Sequence, residues 1–173
     1  MANLLTWSQV QQDMIIAKPE NLFLYKAISE VSDSLSQNIK EKSLQIELRI
    51  MKDIQVFVDK DMLSAIIRNI LSNAIKFTPD KGNISISTEV FDKEILLQFT
   101  DTGVGMPDET IKKLFTPGNS ISTPGTRREM GTGMGLLLIN DFVKLNKGKI
   151  WVVSKEGEGS TFFVSLPRKK SDR

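Results

Sequence analysis

The sequence contains no cysteine and no histidine among its 173 residues. Without cysteine the chain has no disulfide framework, no thiolate zinc site and no cysteine nucleophile. Without histidine it has no Ser-His-Asp triad, no HExxH zinc site and no imidazole acid or base. These two absences exclude most of the familiar designs of hydrolases and metalloenzymes.

Charge of one sign and long apolar runs are lacking as well. The 23 Lys and Arg residues against 21 Asp and Glu leave a net charge of +2, which is too balanced to indicate a nucleic-acid or membrane-surface partner. No apolar run approaches the ~18 residues of a membrane span, and the N-terminus lacks the basic and apolar regions of a signal peptide. We therefore expect a cytoplasmic protein that binds no nucleic acid.

The overall composition is that of a globular domain. Hydrophobic residues make up 40% and charged residues 25% of the chain, as in ordinary soluble proteins. The length slightly exceeds that of one domain of about 150 residues, so we expect one compact domain with a short appendage. Such a domain buries roughly 70% of the surface of its unfolded chain and needs no disulfide or metal for stability.

Residues 3–17 show the pattern of a helix that ends before Pro19. Its apolar residues recur at spacings of three and four as a narrow seam of coiled-coil type: Leu4, Trp7, Val10, Met14 and Ala17. One interpretation is an ordinary helix packed on its own domain. The other is the C-terminal end of a longer helical hairpin or dimerisation stalk, which assigns residues 1–19 to a separate unit.

The remaining periodicities predict a mixture of helices and strands. Helical patterns occupy residues 28–42, 61–78 (with Asp59 or Asp61 as N-cap) and 135–146. Strand patterns occupy residues 44–50, 56–58, 83–90, 94–100, 149–154 and 160–166, and a long loop fills 116–131. Because the strands cluster as hairpins, we expect an α+β fold, a two-layer sandwich of a mixed, largely antiparallel sheet covered on one face by helices. We assign this domain to residues 20–167, followed by a basic tail at 168–173.

The helix predicted at 61–78 carries an unusual polar edge. At ~100° per residue, Asn69, Asn73 and Lys76 share one sector beside the apolar face, and Phe77 lies between the two sectors. Asparagine is a poor helix former, so two of them in mid-helix need a reason. The edge is either a solvated helix face or a site where amide oxygens bind a cation such as Mg²⁺ and the lysine faces phosphate.

Two glycine motifs follow at the ends of other elements. Asp101–Met106 places a carboxylate at a strand end before two spaced glycines, which is either a glycine turn or a place where a ligand approaches the backbone. Gly131–Leu136 opens a helix and offers unpaired N–H groups to phosphate. The second motif is neither the G-x-G-x-x-G dinucleotide fingerprint nor a Walker P-loop, because position 136 is leucine and no Gly-Lys-Ser/Thr follows.

In this order the motifs resemble the ATP-binding Bergerat fold, the GHKL superfamily shared by gyrase, Hsp90, sensor histidine kinases and MutL. The residues in these motifs most closely resemble those of the catalytic, ATP-binding domain of sensor histidine kinases, and the resemblance covers about residues 20–167. The segments that carry this resemblance are Asn69–Pro79 (N box), Asp101–Met106 (G1 box), Leu114–Phe115 (F box), Gly131–Leu136 (G2 box) and Gly157–Phe162 (the last glycine motif). Asn3–Ser8 resembles the end of the second dimerisation helix of that family.

The resemblance implies a role for each matching residue in binding ATP with Mg²⁺. Asp101 accepts a hydrogen bond from the adenine amine and so rejects guanine. Thr161 supports that edge, and Phe77 lies beside the adenine. Asn73 binds the metal, and Asn69 and Lys76 are the catalytic residues that contact the phosphates or the hydration shell of the metal. The other nucleotide contacts implied are Gly103, Gly105, Met106, Phe115, Gly131, Thr132, Gly133, Met134, Gly135 and Leu136.

The same resemblance makes residues 116–130 the ATP lid, a segment of mobile composition. Arg127 and Arg128 are the cations in it. One interpretation is that they turn toward the γ-phosphate, and the other is that they are two solvated arginines.

One departure from the wider superfamily bears on the reaction. Gyrase, Hsp90 and MutL carry a glutamate at the position of Asn69 that activates water, and an amide cannot serve as that base. Histidine kinases carry asparagine there and transfer the γ-phosphate to a histidine. We therefore expect a protein histidine kinase catalytic domain in two-component signal transduction, whose partners are a histidine-bearing dimerisation domain and a downstream response regulator.

Other functions and settings stay open on the sequence alone. The alternatives are a non-catalytic nucleotide-binding or dimerisation module and a stand-alone ATPase or serine kinase of the same superfamily. A membrane-anchored parent protein and a homodimer are both compatible with the sequence.

Overall fold

The computed structural model describes residues 15–117, 122–131 and 133–168. Its strands are β1 (Pro19–Phe23), β2 (Gln45–Arg49), β3 (Gln55–Asp59), β4 (Asn83–Val90), β5 (Glu94–Asp101), β6 (Lys149–Lys155) and β7 (Gly159–Pro167). Its helices are α1 (Leu24–Ser34), α2 (Ser36–Glu41), α3 (Lys60–Phe77), α4 (Asp108–Lys113) and α5 (Gly135–Leu145). Within these ranges no helix is long and apolar enough to cross a membrane.

The main sheet has five strands in the order β2-β4-β5-β7-β6. The β2–β4 pair is parallel and the other pairs are antiparallel. Strands β1 and β3 form a separate antiparallel pair. The structure therefore confirms the predicted α+β sandwich with a mixed, largely antiparallel sheet.

The core lies between one face of this sheet and the helices. Along β5 the residues Ile95, Leu97 and Phe99 are buried while those between them are half-buried, as the period of two in a strand requires. Helix α3 turns its apolar sector to this face, with residues at helical spacing buried: Met62, Leu63, Ile66, Ile67, Ile70, Leu71, Ala74 and Ile75. Removing this surface from water is the main favourable term in folding.

Helix α3 begins where the sequence predicts. The Oδ1 atom of Asp59 accepts hydrogen bonds from the backbone N–H groups of Asp61 and Met62, each at 3.0 Å. Asp59 is therefore the N-cap, and of the two predicted capping residues Asp61 is not. The helix ends at Phe77, two residues before Pro79.

Three features differ from the prediction. The helix predicted at 28–42 is interrupted at Leu35, whose backbone leaves the helical region between α1 and α2. Strand β1 is missed because its residues are nearly all exposed and show no apolar alternation. Helix α4 is missed because it has only six residues, although its acidic first turn and basic last turn suit the helix dipole.

The termini and the long loop are described only in part. Residues 1–14 and 169–173 lie outside the described residues, and with them most of the predicted N-terminal helix and of the basic tail. The prediction is wrong for residues 15–17, which have no helical structure. In the loop, the described residues 116–117 and 122–131 contain neither helix nor strand, as predicted.

Candidate functional site

The polar edge of α3 lines a cavity. Asn69, Asn73, Lys76 and Phe77 all face it and all are half-buried, whereas the apolar sector of the same helix is buried in the core. The Nδ2 group of Asn69 donates to the carbonyl oxygen of Ala65 at 2.8 Å. This bond turns the amide of Asn69 back along its own helix and fixes its orientation.

Asp101 is the last residue in the buried row of β5. It follows Ile95, Leu97 and Phe99 at intervals of two, so its side chain lies on the helix side of the sheet and is only 6% exposed. Its Oδ1 atom accepts the backbone N–H of Gly103 at 2.8 Å. Burial raises the pKa of Asp101 to about 6, although hydrogen bonds from the backbone N–H groups of Gly103 and Ser160 lower it.

The loop after Asp101 passes close to the turn between β6 and β7. Gly105 has a φ of 67°, and a Cβ atom there would overlap the carbonyl oxygen of Lys155. The N–H of Gly157 donates to Val104 O at 2.7 Å, and the N–H of Met106 donates to Ser154 Oγ at 2.9 Å. Because these contacts involve the backbone, glycine is required at position 105.

The second glycine motif packs against the polar edge of α3. A Cβ atom at Gly135 would overlap Asn69 Oδ1, and one at Gly131 would lie 2.9 Å from Lys76 Nζ. Helix α5 begins at Gly135 without a side-chain cap, so its first N–H groups have no intrahelical partner. The sequence thus brings the N–H groups at the start of α5, two amides and a lysine to one place.

These elements enclose a cavity of about 370 Å³, within the size range of small-molecule sites. Among the described residues that line it, Lys76 and Asp101 are the charged ones. The lining consists of Asn69, Asn73, Ala74, Lys76, Phe77, Asp101, Val104, Gly105, Met106, Pro107, Thr110, Leu114, Ser122, Thr123, Pro124, Gly131, Gly133, Gly135, Leu136, Ser160 and Phe162.

The structure does not bring Thr161 to this cavity. In the β5–β7 register Thr161 pairs with Thr100, and their hydroxyl groups lie 3.1 Å apart. Asp101 pairs instead with Ser160, which lines the cavity. The alternation of β7 explains the correction, because Ser160 and Phe162 share the buried side and Thr161 faces the other side.

Other predicted contacts also lie outside the cavity wall. Phe115 packs on the hydrophobic core, and its neighbour Leu114 lines the cavity in its place. Gly103 acts through its N–H on Asp101, and Met134 precedes α5 without lining the cavity. Thr132 lies outside the described residues.

The two arginines of the 122–131 segment do not line the cavity. Arg127 Nε and Nη2 donate to the two carboxylate oxygens of Asp80 at 3.1 and 2.7 Å, and Nη2 also donates to Glu41 O at 2.8 Å. Arg128 is exposed with a φ of 62°. Arg127 is therefore an exposed, ion-paired arginine that is not turned toward the cavity.

The sequence reasoning missed several lining residues. Ser160 was recoverable from the strand alternation Ser160-x-Phe162. Thr110 lies within a helix too short to predict, and residues 122–124 belong to a segment without periodicity, so no sequence signal marks them. Leu114 is marked only as part of the F box, for which the resemblance implies Phe115 as the contact residue.

Comparison with known proteins gives a family and several relatives. The family model for the histidine kinase-, DNA gyrase B-, and HSP90-like ATPases matches residues 58–170. Sensor histidine kinase WalK of Bacillus subtilis is 35% identical over 121 residues, which cover 69% of this chain and 20% of that protein. The chain thus spans about a fifth of the length of this curated relative.

Solved structures share the fold. The catalytic domain of histidine kinase ThkA has a TM-score of 0.76 at 25% identity, covering 87% of this chain and 96% of that one. Full-length ShkA in complex with AMPPNP has a TM-score of 0.82 at 20% identity, covering 99% and 35%. ThkA in complex with response regulator protein TrrA has a TM-score of 0.76 at 20% identity, covering 99% and 49%.

Proposed function

Because the chain belongs to the family of histidine kinase-, DNA gyrase B- and HSP90-like ATPases, we propose that it binds Mg·ATP and supplies the γ-phosphate to a histidine. The acceptor lies on a dimerisation domain outside this sequence, which contains no histidine. Residues 20–167 are the catalytic domain in this proposal, and residues 1–19 end the dimerisation hairpin. The observation that carries the proposal is the buried Asp101 carboxylate in a cavity of nucleotide size.

The end of the cavity at Asp101 suits adenine. The carboxylate offers an acceptor to the exocyclic amine, whereas guanine would set its carbonyl oxygen against that carboxylate. Met106, Leu114 and Phe162 provide apolar surface for a flat ring. The hydroxyl of Ser160 lies on the same side and takes the supporting role that the sequence assigned to Thr161.

The end of the cavity at Lys76 suits phosphates. Gly131 and Gly135 leave space that a side chain would fill, and the uncapped start of α5 directs N–H groups and the positive end of the helix dipole toward an anion. The ammonium group of Lys76 adds a positive charge that attracts phosphate. We assign the adenine contacts to Asp101 and Phe77 and the phosphate contacts to Asn69, Lys76 and the glycine motif.

Mg²⁺ would be held jointly by protein and nucleotide. The described residues contain no group of three or more acidic, histidine or cysteine residues that could hold a metal alone. Asn73 lines the cavity, and an amide oxygen there suits a hard cation whose other ligands are phosphate oxygens and water. Bound there, Mg²⁺ would neutralise charge on the phosphates.

The residues of this chain position the nucleotide and do not attack it. Asn69 occupies the place of a water-activating base, and its amide can neither take a proton nor leave its bond to Ala65 O without cost. The contribution of the chain to transfer is therefore alignment and charge neutralisation for an imidazole from outside. The complex of ThkA with TrrA supports a response regulator as the later phosphate acceptor.

Two measurements test this proposal. Calorimetric titration should give binding of ATP with Mg²⁺, and a module that has lost the site would give no heat. With γ-labelled ATP we expect no label on this chain, slow phosphate release, and labelling of a separately supplied histidine-bearing dimerisation domain. Self-labelling would contradict the histidine transfer, and rapid phosphate release without acceptor would favour an ATPase.

A further inference from the structure

Lys42 is a buried lysine outside the cavity wall. It is 3% exposed, and a lysine ammonium group is rarely so deep unless it is fully paired. Its Nζ atom lies near five oxygen atoms: the carbonyls of Ile75 at 2.8 Å, Lys76 at 3.0 Å and Thr78 at 3.4 Å, Thr126 Oγ1 at 2.7 Å and Glu129 Oε1 at 2.8 Å. We call this group the Lys42 cluster.

Three members of the cluster are at the C-terminal end of α3. The last carbonyls of a helix have no intrahelical partner and carry the negative end of its dipole. Lys42 reaches them from the residue after α2, and its own carbonyl accepts the N–H of Lys81 at 2.8 Å. One side chain therefore satisfies the end of the helix that carries the polar edge of the cavity.

The other two members belong to the 122–131 segment, which also lines the cavity. The N–H of Thr126 donates to Lys76 O at 3.1 Å, and a Cβ atom at Gly125 would lie 2.5 Å from Lys76 Cγ. The segment thus packs along Lys76 itself. The ammonium group of Lys42 holds the helix end and this segment together, with Lys76 between them.

We propose that Lys42 is a positioning residue of the phosphate end of the cavity, acting through Thr126 and Glu129 on the placement of Lys76. The inference rests on the proposed function, since it concerns how that site is held. Lys42 does not line the cavity, so it acts through its neighbours. At the base end, Asp101 is held by its pairing with Ser160, and neither residue belongs to the cluster.

Variants that cut the cluster on one side test this inference. Glu129→Gln removes the charge of one contact to the segment, Thr126→Val removes the other contact, and both leave Lys42 on the carbonyls of α3. We expect each to lower the affinity for Mg·ATP about tenfold, the scale of one charged hydrogen bond, and to change the affinity for adenosine less than about twofold. Lys42→Arg should lower the affinity for Mg·ATP less than Lys42→Met does. Lys42→Met removes the contacts both to the α3 carbonyls and to the 122–131 segment, so it should also lower stability.

Glu47→Gln is the matched control. Glu47 also accepts a hydrogen bond from a cation, Arg49 at 2.7 Å, but it is exposed on β2 and does not line the cavity. Its removal should leave both affinities unchanged. The inference is overturned if Glu129→Gln lowers the affinities for Mg·ATP and for adenosine equally. It is also overturned if Glu129→Gln changes neither affinity.

Hydrogen exchange at the Thr126 amide gives a readout without nucleotide. We expect faster exchange at this amide in Glu129→Gln and an unchanged rate in Glu47→Gln, with the amides of α3 protected in both. Unchanged exchange at Thr126 would overturn the inference. Failure of the wild-type chain to bind any nucleotide would instead overturn the proposed function, so the two failures are distinguishable.

Discussion

The two charged residues of the cavity, Asp101 and Lys76, are held in different ways. Asp101 is bound by backbone N–H groups of Gly103 and Ser160, its neighbour in the chain and its partner in the β5–β7 ladder. Lys76 lies in the last turn of α3, and its carbonyl accepts from Lys42 and Thr126, which are 34 and 50 residues away in sequence. One end of the site is part of a sheet and the other is assembled from distant segments.

This difference bears on how each end responds to change. The position of Asp101 follows from the sheet register, which the buried row of β5 also fixes. Its position cannot change unless the core changes with it. The placement of Lys76 depends on separate side-chain contacts, which can be removed singly while the fold persists. We expect substitutions at the Asp101 end to abolish ligand affinity or leave it unchanged, and substitutions around Lys76 to lower it in graded steps.

Asp101→Asn should have the largest effect. The amide keeps its oxygen toward the N–H of Gly103 and presents an N–H group where adenine also has one, so nucleotide affinity should fall at least about a hundredfold. The same change removes a buried charge whose pKa is raised to about 6. At pH 7.5 the free energy of unfolding should therefore rise, by up to about 3 kcal/mol. Calorimetry and urea denaturation measure the two effects, and retained affinity would refute the assignment of Asp101.

Gly135→Ala tests the phosphate end. The new Cβ would overlap Asn69 Oδ1, so either that amide turns or the start of α5 shifts. Affinity for Mg·ATP should fall roughly tenfold to a hundredfold, with adenosine little affected. Gly157→Ala is the control, because its Cβ would meet nothing within 4 Å. Its φ of 81° makes alanine strained there, so stability falls but affinity should not.

The pH dependence should show opposite signs for binding and stability. Adenosine affinity should fall about tenfold for each pH unit below about 6, as the Asp101 carboxylate is protonated. A raised folded-state pKa stabilises the fold below the unfolded value, and this stability is lost as pH rises through about 6. Adenosine is the suitable ligand because phosphate titrates in the same range. Unfolding curves of Asp101→Asn should lack this component, and a pH-independent affinity would contradict the role of Asp101.

Arg127→Ala should have the smallest effect. Its guanidinium group is paired with Asp80 and Glu41 O at an exposed position, where ion pairs contribute little. We expect labelling of a supplied histidine domain to stay within about twofold of wild type, and Asp80→Asn to behave alike. A large loss in Arg127→Ala alone would mean that the arginine leaves Asp80 to reach the nucleotide.

The sequence predicted the sheet end of the site well and the assembled end poorly. Alternation over residues 94–100 predicted β5, and two residues beyond Phe99 the same row reaches Asp101 on the buried side. The same alternation pointed to Ser160, but the motif resemblance was carried onto Thr161. The Lys42 cluster had no sequence signal, because Lys42 resembles any polar residue at the end of a helix and meets Thr126 84 residues later. Such contacts depend on the three-dimensional path of a loop without periodicity.

Asp101 lies in the same buried row of β5 as Ile95, Leu97 and Phe99, which links ligand binding to correct folding. A slip of β5 by one residue would turn the apolar side chains to solvent and the carboxylate with them. A chain folded in the wrong register would thus lose its ability to recognise a base together with its stability. The register of β5 therefore determines both the burial of the core and the position of the base-binding carboxylate.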